Sequence, residues 1–323
     1  MRTPLLFSIL LIALCSCRDD FEFNIPPERA HEYNLLGELK PQDVVSIQLL
    51  ESVPIGAELR NIDRRDAKAI FRGDDVPNGE IEMAFNNTSE KYHLINEDFR
   101  VSEGMEYEVS IVVPDENMDT IVANTRIPKS IGFSTQILST EKVPLDNTHS
   151  EHFVDVVLTL DDPIELPAYY HFVPNRLISK IVISPSGKVD VSDGPDLSLL
   201  DIDEVLNNQN AIERFSHLPG IIIEEARMSS SQIRVRLKTN DLEPLKDGPN
   251  ASATEGVDAL NRLNLELHTW SPELYEYHKW VDGRLSNQGS NLPTAARDIS
   301  NISQASGVFG GASRRIDTPR IQG

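Results

Sequence analysis

Cysteine is almost missing from this chain of 323 residues, and its two, Cys15 and Cys17, both lie near the start. Beyond them no disulfide framework, thiolate zinc site or cysteine nucleophile can form, so stability has to come from packing. Long apolar runs are scarce as well. The stretch Leu5-Leu6-Phe7-Ser8-Ile9-Leu10-Leu11-Ile12-Ala13-Leu14 falls short of the roughly 20 residues that a bilayer span needs. Positive charge is in deficit, with 30 Lys and Arg against 51 Asp and Glu and a net charge of −21. That balance excludes nucleic acid, whose phosphates demand a basic face, and electrostatic docking to anionic lipid. Catalytic signatures are missing too. There is no Gly-x-Ser-x-Gly elbow, dinucleotide fingerprint or His-Glu-x-x-His helix, and Ser184-Pro185-Ser186-Gly187-Lys188 lacks the first glycine of a phosphate-binding loop. No cofactor is expected.

What the N-terminus does have is an order of parts. Arg2 precedes the apolar run, and Leu14-Cys15-Ser16-Cys17 follows it, with a large aliphatic three residues before Cys17 and a small residue just before it. This is the pattern of a lipobox closing a signal peptide over residues 1–16. Cys15 does not fit that register, because Leu14 would stand where a small residue is needed. Cys17 is therefore the expected lipidation site, and a bacterial lipoprotein carries three acyl chains, palmitate among them. One chain holds a membrane only marginally and several hold it stably, at about 0.8 kcal/mol per buried methylene. Arg18-Asp19-Asp20-Phe21-Glu22 resembles the acidic export signal that Bacteroidetes lipoproteins carry after the acylated cysteine, although a solvated tether is the other reading. Residues 17–30, with Pro26-Pro27, make the expected tether.

Past the tether, alternating apolar residues mark strands. Tyr33 to Leu39, Val44 to Leu49, Ala67 to Phe71, Glu80 to Phe85, Tyr107 to Val113 and Thr120 to Ile127 are short and bounded by Pro, Gly, Asp or Asn. About seven strands in roughly 100 residues predict an immunoglobulin-like or transthyretin-like sandwich over 31–128, with a boundary at Pro128. Residues 129–313 predict a second β-rich domain. Its strands are Ile131 to Leu138, Phe153 to Leu160, Tyr169 to Val173, Ile181 to Ile183, Ile221 to Ile223, Ile233 to Leu237 and Leu263 to Trp270. Leu199, Ile202, Val205 and Leu206 share one helical face near 199–207, where a loop insertion is the alternative. The clearest helix has Ser271 as N-cap, Pro272 at its first position and Gly283 as its stop. Leu274, Tyr277, His278 and Val281 fall on one side of it, widened by Tyr275 and Trp280. Such a stripe is read as packing against the preceding strand, with a carbohydrate platform as the sharper alternative. Ser286 to Ser306 reads as a loop, Val308-Phe309-Gly310-Gly311 as a closing strand and 314–323 as a polar tail. The fold class is thus mainly β, with one or two short helices.

Three stretches resemble a known family when taken together. They are Ala123-Asn124-Thr125-Arg126-Ile127-Pro128, the unit from Leu265 to Tyr275 through Trp270-Ser271-Pro272, and Gly307-Val308-Phe309-Gly310-Gly311. In this order, behind a lipobox, they are similar to the Bacteroidetes surface lipoproteins classed as domain of unknown function 4249. Ser290-Asn291-Leu292-Pro293-Thr294 departs from the Asn-Pro-Phe-type segment usual there. The resemblance implies residence beside outer-membrane TonB-dependent receptors and supplies no catalytic residue.

Other polar groupings are weaker. His149-Ser150-Glu151-His152 with Asp155 could gather two imidazoles and a carboxylate, but solvated loop residues are the simpler reading. Asp190, Asp193 and Asp196 around Gly194 lack the spacing and final Glu of a calcium loop. Asp119-Thr120-Ile121 matches a short O-glycosylation acceptor and equally a turn. No metal site and no catalytic residue is expected. The reading is a lipid-anchored protein of the cell outer membrane, facing the exterior, that binds a ligand or docks on a TonB-dependent transporter. A surface hydrolase of peptide or glycan, and a structural or adhesive envelope protein, stay open beside it.

Overall fold

The computed structural model describes residues 32–52, 62–63, 65–96, 98–114, 120–144, 150–161, 168–179, 181–183, 189–191, 201–239, 261–286 and 301–319. Cys17 and Arg18, Asp19, Asp20, Phe21 and Glu22 lie outside them. The protein is mainly β and sandwich-like. Its first strands are β1 (Glu32–Leu39), β2 (Ser46–Ser52), β3 (Ile62–Asp63), β4 (Lys68–Gly73), β5 (Glu80–Asn86), β6 (Lys91–Leu94), β7 (Glu106–Val112) and β8 (Ile121–Arg126). Then come β9 (Phe133–Pro144), β10 (Ser150–Leu160), β11 (Tyr169–Ser179), β12 (Ile181–Ile183), β13 (Val189–Val191) and β14 (Asp201–Val205). The chain continues with β15 (Ile212–Glu213), β16 (Ile221–Glu224), β17 (Gln232–Thr239), β18 (Asn261–Trp270), helix α1 (Pro272–Ser286) and β19 (Ser306–Asp317).

Thirteen strands form one sheet in the order β15-β16-β11-β18-β19-β1-β2-β6-β5-β4-β7-β8, with β3 beside β2. A second sheet runs β14-β17-β10-β9, and β12 pairs with β13. The join between the two halves is β19. It runs parallel to β1, with Leu36 opposite Val308 and Gly37 opposite Phe309, and antiparallel to β18. Glycine is needed twice at this join. A Cβ on Gly37 would meet the Phe309 ring at 2.9 Å, and Gly307 sits at φ +115, a conformation that side chains avoid. Pro128 follows β8, yet the chain on both sides of it contributes to one sheet.

Alternation along each strand sorts the side chains into cores. Tyr33, Leu35, Ile47, Leu49, Phe71, Tyr92, Val109 and Ile111 bury in the N-terminal half, and Phe309 of β19 joins them. Val154, Val156 and Leu158 of β10 and Ile233, Val235 and Leu237 of β17 meet Tyr170, Phe172, Leu265 and Leu267 between the two sheets. Each such side chain contributes roughly 1.5–3 kcal/mol when fully buried. A third, smaller core lies on the other face of the large sheet, where Leu274 and Tyr275 of α1 pack on Phe215, Ile222, Trp270, Val308 and Ala312.

Three expectations need correction. Residues 201–205 are strand β14 and not a helix: Ile202 turns into the core while Asp203 and Glu204 face solvent. Gly283 does not stop α1, which continues to Ser286; the glycine is exposed with open space around it, and costs the helix only about 1 kcal/mol. Finally, β19 runs past Arg314 to Asp317, paired with β18. A polar sequence there is strand, because Arg314 has Glu266 to face at 3.6 Å.

Candidate functional site

The strongest concentration of chemistry is a layer of histidines and aromatic rings between α1 and the large sheet. Pairing of β11 with β18 sets Tyr169 opposite Trp270, His171 opposite His268, and Val173 opposite Glu266. Because side chains alternate, these residues share one face, while Tyr170, Phe172, Leu265 and Leu267 fill the core on the other. On β19 the same face carries Ala312 and Arg314, which stand opposite Trp270 and His268.

A corner at Ser271 turns β18 into the helix that covers this face. The Ser271 hydroxyl accepts from the Leu274 N–H at 3.4 Å, the expected cap, and from the Gly311 N–H at 3.1 Å. Ser271 N–H donates back to Gly311 O at 2.8 Å, so the corner is pinned to β19. Pro272 opens the helix, Glu273 lies in its first turn and Arg284 in its last, each with the sign that the helix dipole favours.

Ring contacts tie the helix down. Tyr275 stacks on Tyr169 with centroids 3.9 Å apart, and His278 stacks on Trp270 at 4.9 Å. Trp270 in turn lies 4.8 Å from His171. The helix face expected to pack does so, and the aromatic stripe is part of this layer. The loop before β16 closes the other side: Asp282 Oδ1 accepts from Ser216 N–H and Oγ–H at 2.6 and 2.7 Å, and His217 Nε2 meets His278 Nδ1 at 3.1 Å. Beyond the rings, the Tyr275 hydroxyl donates to Glu213 at 3.0 Å and accepts from Lys279 at 2.8 Å.

Electrostatics follow from burial. Loss of solvent pushes His171 and His278 down to about 4, and lowers His268 against the pull of Glu266. His171 Nε2 lies 2.7 Å from Pro219 O, an atom that can only accept, so Nε2 carries the proton. Glu266 is a buried carboxylate, 3.2 Å from His268 Nε2 and 3.6 Å from Arg314. Burial also raises the Tyr275 hydroxyl to about 12, which makes its contact with Lys279 structural and not that of an activated base.

Of the groupings singled out in the sequence, only parts fall among the described residues. Glu151 pairs with Lys238 at 2.7 Å and Asp155 accepts from Ser139 at 2.7 Å, as solvent-facing partners along β10. His149, Asp193, Gly194, Asp196, Asp119 and the segment 184–188 lie outside the described residues, and Asp190 falls in β13. Among the described residues no three His, Cys, Asp or Glu side chains are placed to hold a metal ion. None of the described helices is long and apolar enough to cross a membrane. Ser89 Oγ meets His93 Nε2 at 2.7 Å in the exposed turn between β5 and β6. That contact is local to the turn, and among the described residues no carboxylate orients the ring. A shallow cleft of about 710 Å³ over β4, β7 and β8 is lined by Arg72, Glu106, Glu108, Arg126 and, from α1, Glu273. Arg72 is already engaged there by Glu80, Glu108 and Ser110.

Sequence reasoning found the Ser271 corner and the α1 stripe, and missed the histidine layer. His171 and His217 come from β11 and a distant loop, and only strand pairing brings them to His268 and His278. A mainly β, sandwich-like chain with one strand–helix unit pinned to a closing strand is the class that this arrangement defines. The chain belongs to the family described as Domain of unknown function (DUF4249), whose model matches residues 18–316. No curated protein matches it.

Proposed function

We propose that this protein is a surface lipoprotein, anchored in the outer membrane through Cys17, that acts by binding as an accessory subunit of a TonB-dependent transporter. The observation that carries the anchor is the order Arg2, apolar run, Leu14-Cys15-Ser16-Cys17, then Arg18 to Glu22. The family match opens at residue 18, directly after Cys17, and this supports a mature chain that starts at Cys17. The transporter as partner rests on the resemblance to the surface lipoprotein family, and the net charge of −21 suits a soluble exterior face.

The test is affinity purification of the tagged, full-length protein from gently solubilised outer membranes, with mass spectrometry of what accompanies it. One TonB-dependent receptor in near-equal amount is the expected result. Recovery of the lipoprotein alone would remove the docking reading. A surface hydrolase is the second reading, favoured only by the Ser89–His93 contact. Hydrolysis of peptide or glycan by the purified chain, lost in Ser89→Ala, would put it first.

A further inference from the structure

The chain holds eight histidines and two tryptophans. Four of those histidines, His171, His217, His268 and His278, and both tryptophans, Trp270 and Trp280, belong to α1 or to the face and loop that it contacts. Helix and loop are linked by a ring-to-ring hydrogen bond, His217 Nε2 to His278 Nδ1 at 3.1 Å, beside the two that Asp282 accepts from Ser216. The ring-to-ring bond needs one ring to donate and the other to accept. A neutral pair makes it, and so does a pair sharing one added proton. A doubly protonated pair has two donors and no acceptor, and the bond becomes a repulsion.

The charged groups around the pair come from four elements. On α1, Asp282 Oδ1, held by Ser216, lies 3.9 Å from His217 Nδ1. β11 contributes His171 and β18 contributes His268, while Lys40 follows β1. His171 and Lys40 both act against a charge on His278. The one buried carboxylate of the neighbourhood, Glu266, is shared between His268 and Arg314. Among the described residues no negative group acts on His278 itself.

We infer that α1 and the loop 215–220 form an acid-released latch: protonation of His278 while His217 is charged breaks their bond and undocks them from the sheet. Opening uncovers Trp270, Ile222, Val308 and Ala312, the apolar face that the latch covers. The direction follows from linkage. Burial keeps His278 and His171 neutral down to about 4 in the closed layer, whereas a solvated imidazole titrates near 6.5. The open form therefore takes up protons that the closed form refuses, and acid favours it through that window. The inference stands on the layer's geometry and does not depend on which partner the protein has.

Both tryptophans report on this layer alone, so intrinsic fluorescence of the full chain reads the latch directly. Lowering the pH from about 7.5 to 4 is expected to shift the emission maximum to the red and to raise acrylamide quenching severalfold. The change is reversible, with a midpoint between about 4 and 6.5, while far-ultraviolet circular dichroism of the sheets holds steady. His278→Phe is expected to weaken the transition to the share that His171 drives, and His217→Gln to move it down by about one pH unit or more, since a neutral amide cannot form the charged pair. His217→Gln, a loop substitution, decides the matter if His278→Phe does not fold. Fluorescence and circular dichroism changing together, no change down to pH 4, or an unchanged transition in the variants that fold would overturn the latch.

Discussion

The two faces of β11 and β18 are built from alternate residues of the same two strands and have opposite characters. Tyr170, Phe172, Leu265 and Leu267 point into the core between the sheets, which is closed by Val156, Leu158, Val235 and Leu237. One residue along in each case, His171, Val173, Glu266 and His268 point the other way, to the face that Trp270 shares beneath α1. Both faces are buried, so burial alone does not separate them. The difference is what each face asks of its cover. An apolar face needs only close packing, whereas a face carrying imidazoles and a carboxylate needs hydrogen-bond partners and a fixed protonation state.

The comparison can be broken most strongly from the apolar side. Leu265→Ala, at a fully buried position, is expected to cost about 3 kcal/mol through lost burial and a residual cavity. Chemical denaturation at pH 8 and pH 6.5 should return the same loss; a loss that depends on pH would mean that the two faces are not separable.

The titratable face gives the next largest effect, and its sign is fixed by the lowered values of His171 and His278. Both are neutral in the fold. As pH falls below about 6.5 the unfolded chain takes up protons first, so stability declines from there and levels off below about 4. Each histidine adds a slope of about 1.4 kcal/mol per pH unit at most within that window. Denaturation midpoints from pH 7 to 4.5 check this, and His171→Phe should flatten the slope without touching stability at pH 8 by a comparable amount.

Smaller effects sharpen the comparison at the corner where the cover begins. Ser271→Ala removes a hydroxyl that caps α1 and also accepts from Gly311, and about 1–2 kcal/mol of thermal stability should go with it. Gly283→Ala should act the other way. The site is helical, exposed and open around the Cβ position, so a gain of about 0.5–1 kcal/mol is expected in the same melting experiment. A loss there would mean that Gly283 ends the helix after all.

Period-two alternation made most of the fold legible, because strands such as β8 and β17 bury every second residue and say so in their sequence. β6 escaped because Lys91–Leu94 is only four residues long, too short for Tyr92 and Leu94 to set a period. β14 escaped because a sheet-edge strand with one inward residue, Ile202, carries no alternation, and the spacing of its apolar neighbours imitates a helix. The parallel pairing of β1 with β19 joins the two ends of the described chain, and no local pattern encodes such a contact. The same reason hides the histidine layer: its strand–helix corner is local and was readable, while His171 and His217 arrive through tertiary pairing.

Anchoring at Cys17 is the claim from which the proposed function is built, and metabolic labelling with an alkyne-bearing palmitate analogue tests it most directly. The wild-type protein and Cys15→Ala should both carry label and float with outer membranes, while Cys17→Ala should carry none and leave the membrane fraction. Label that persists in Cys17→Ala, or that disappears only in Cys15→Ala, would contradict the account.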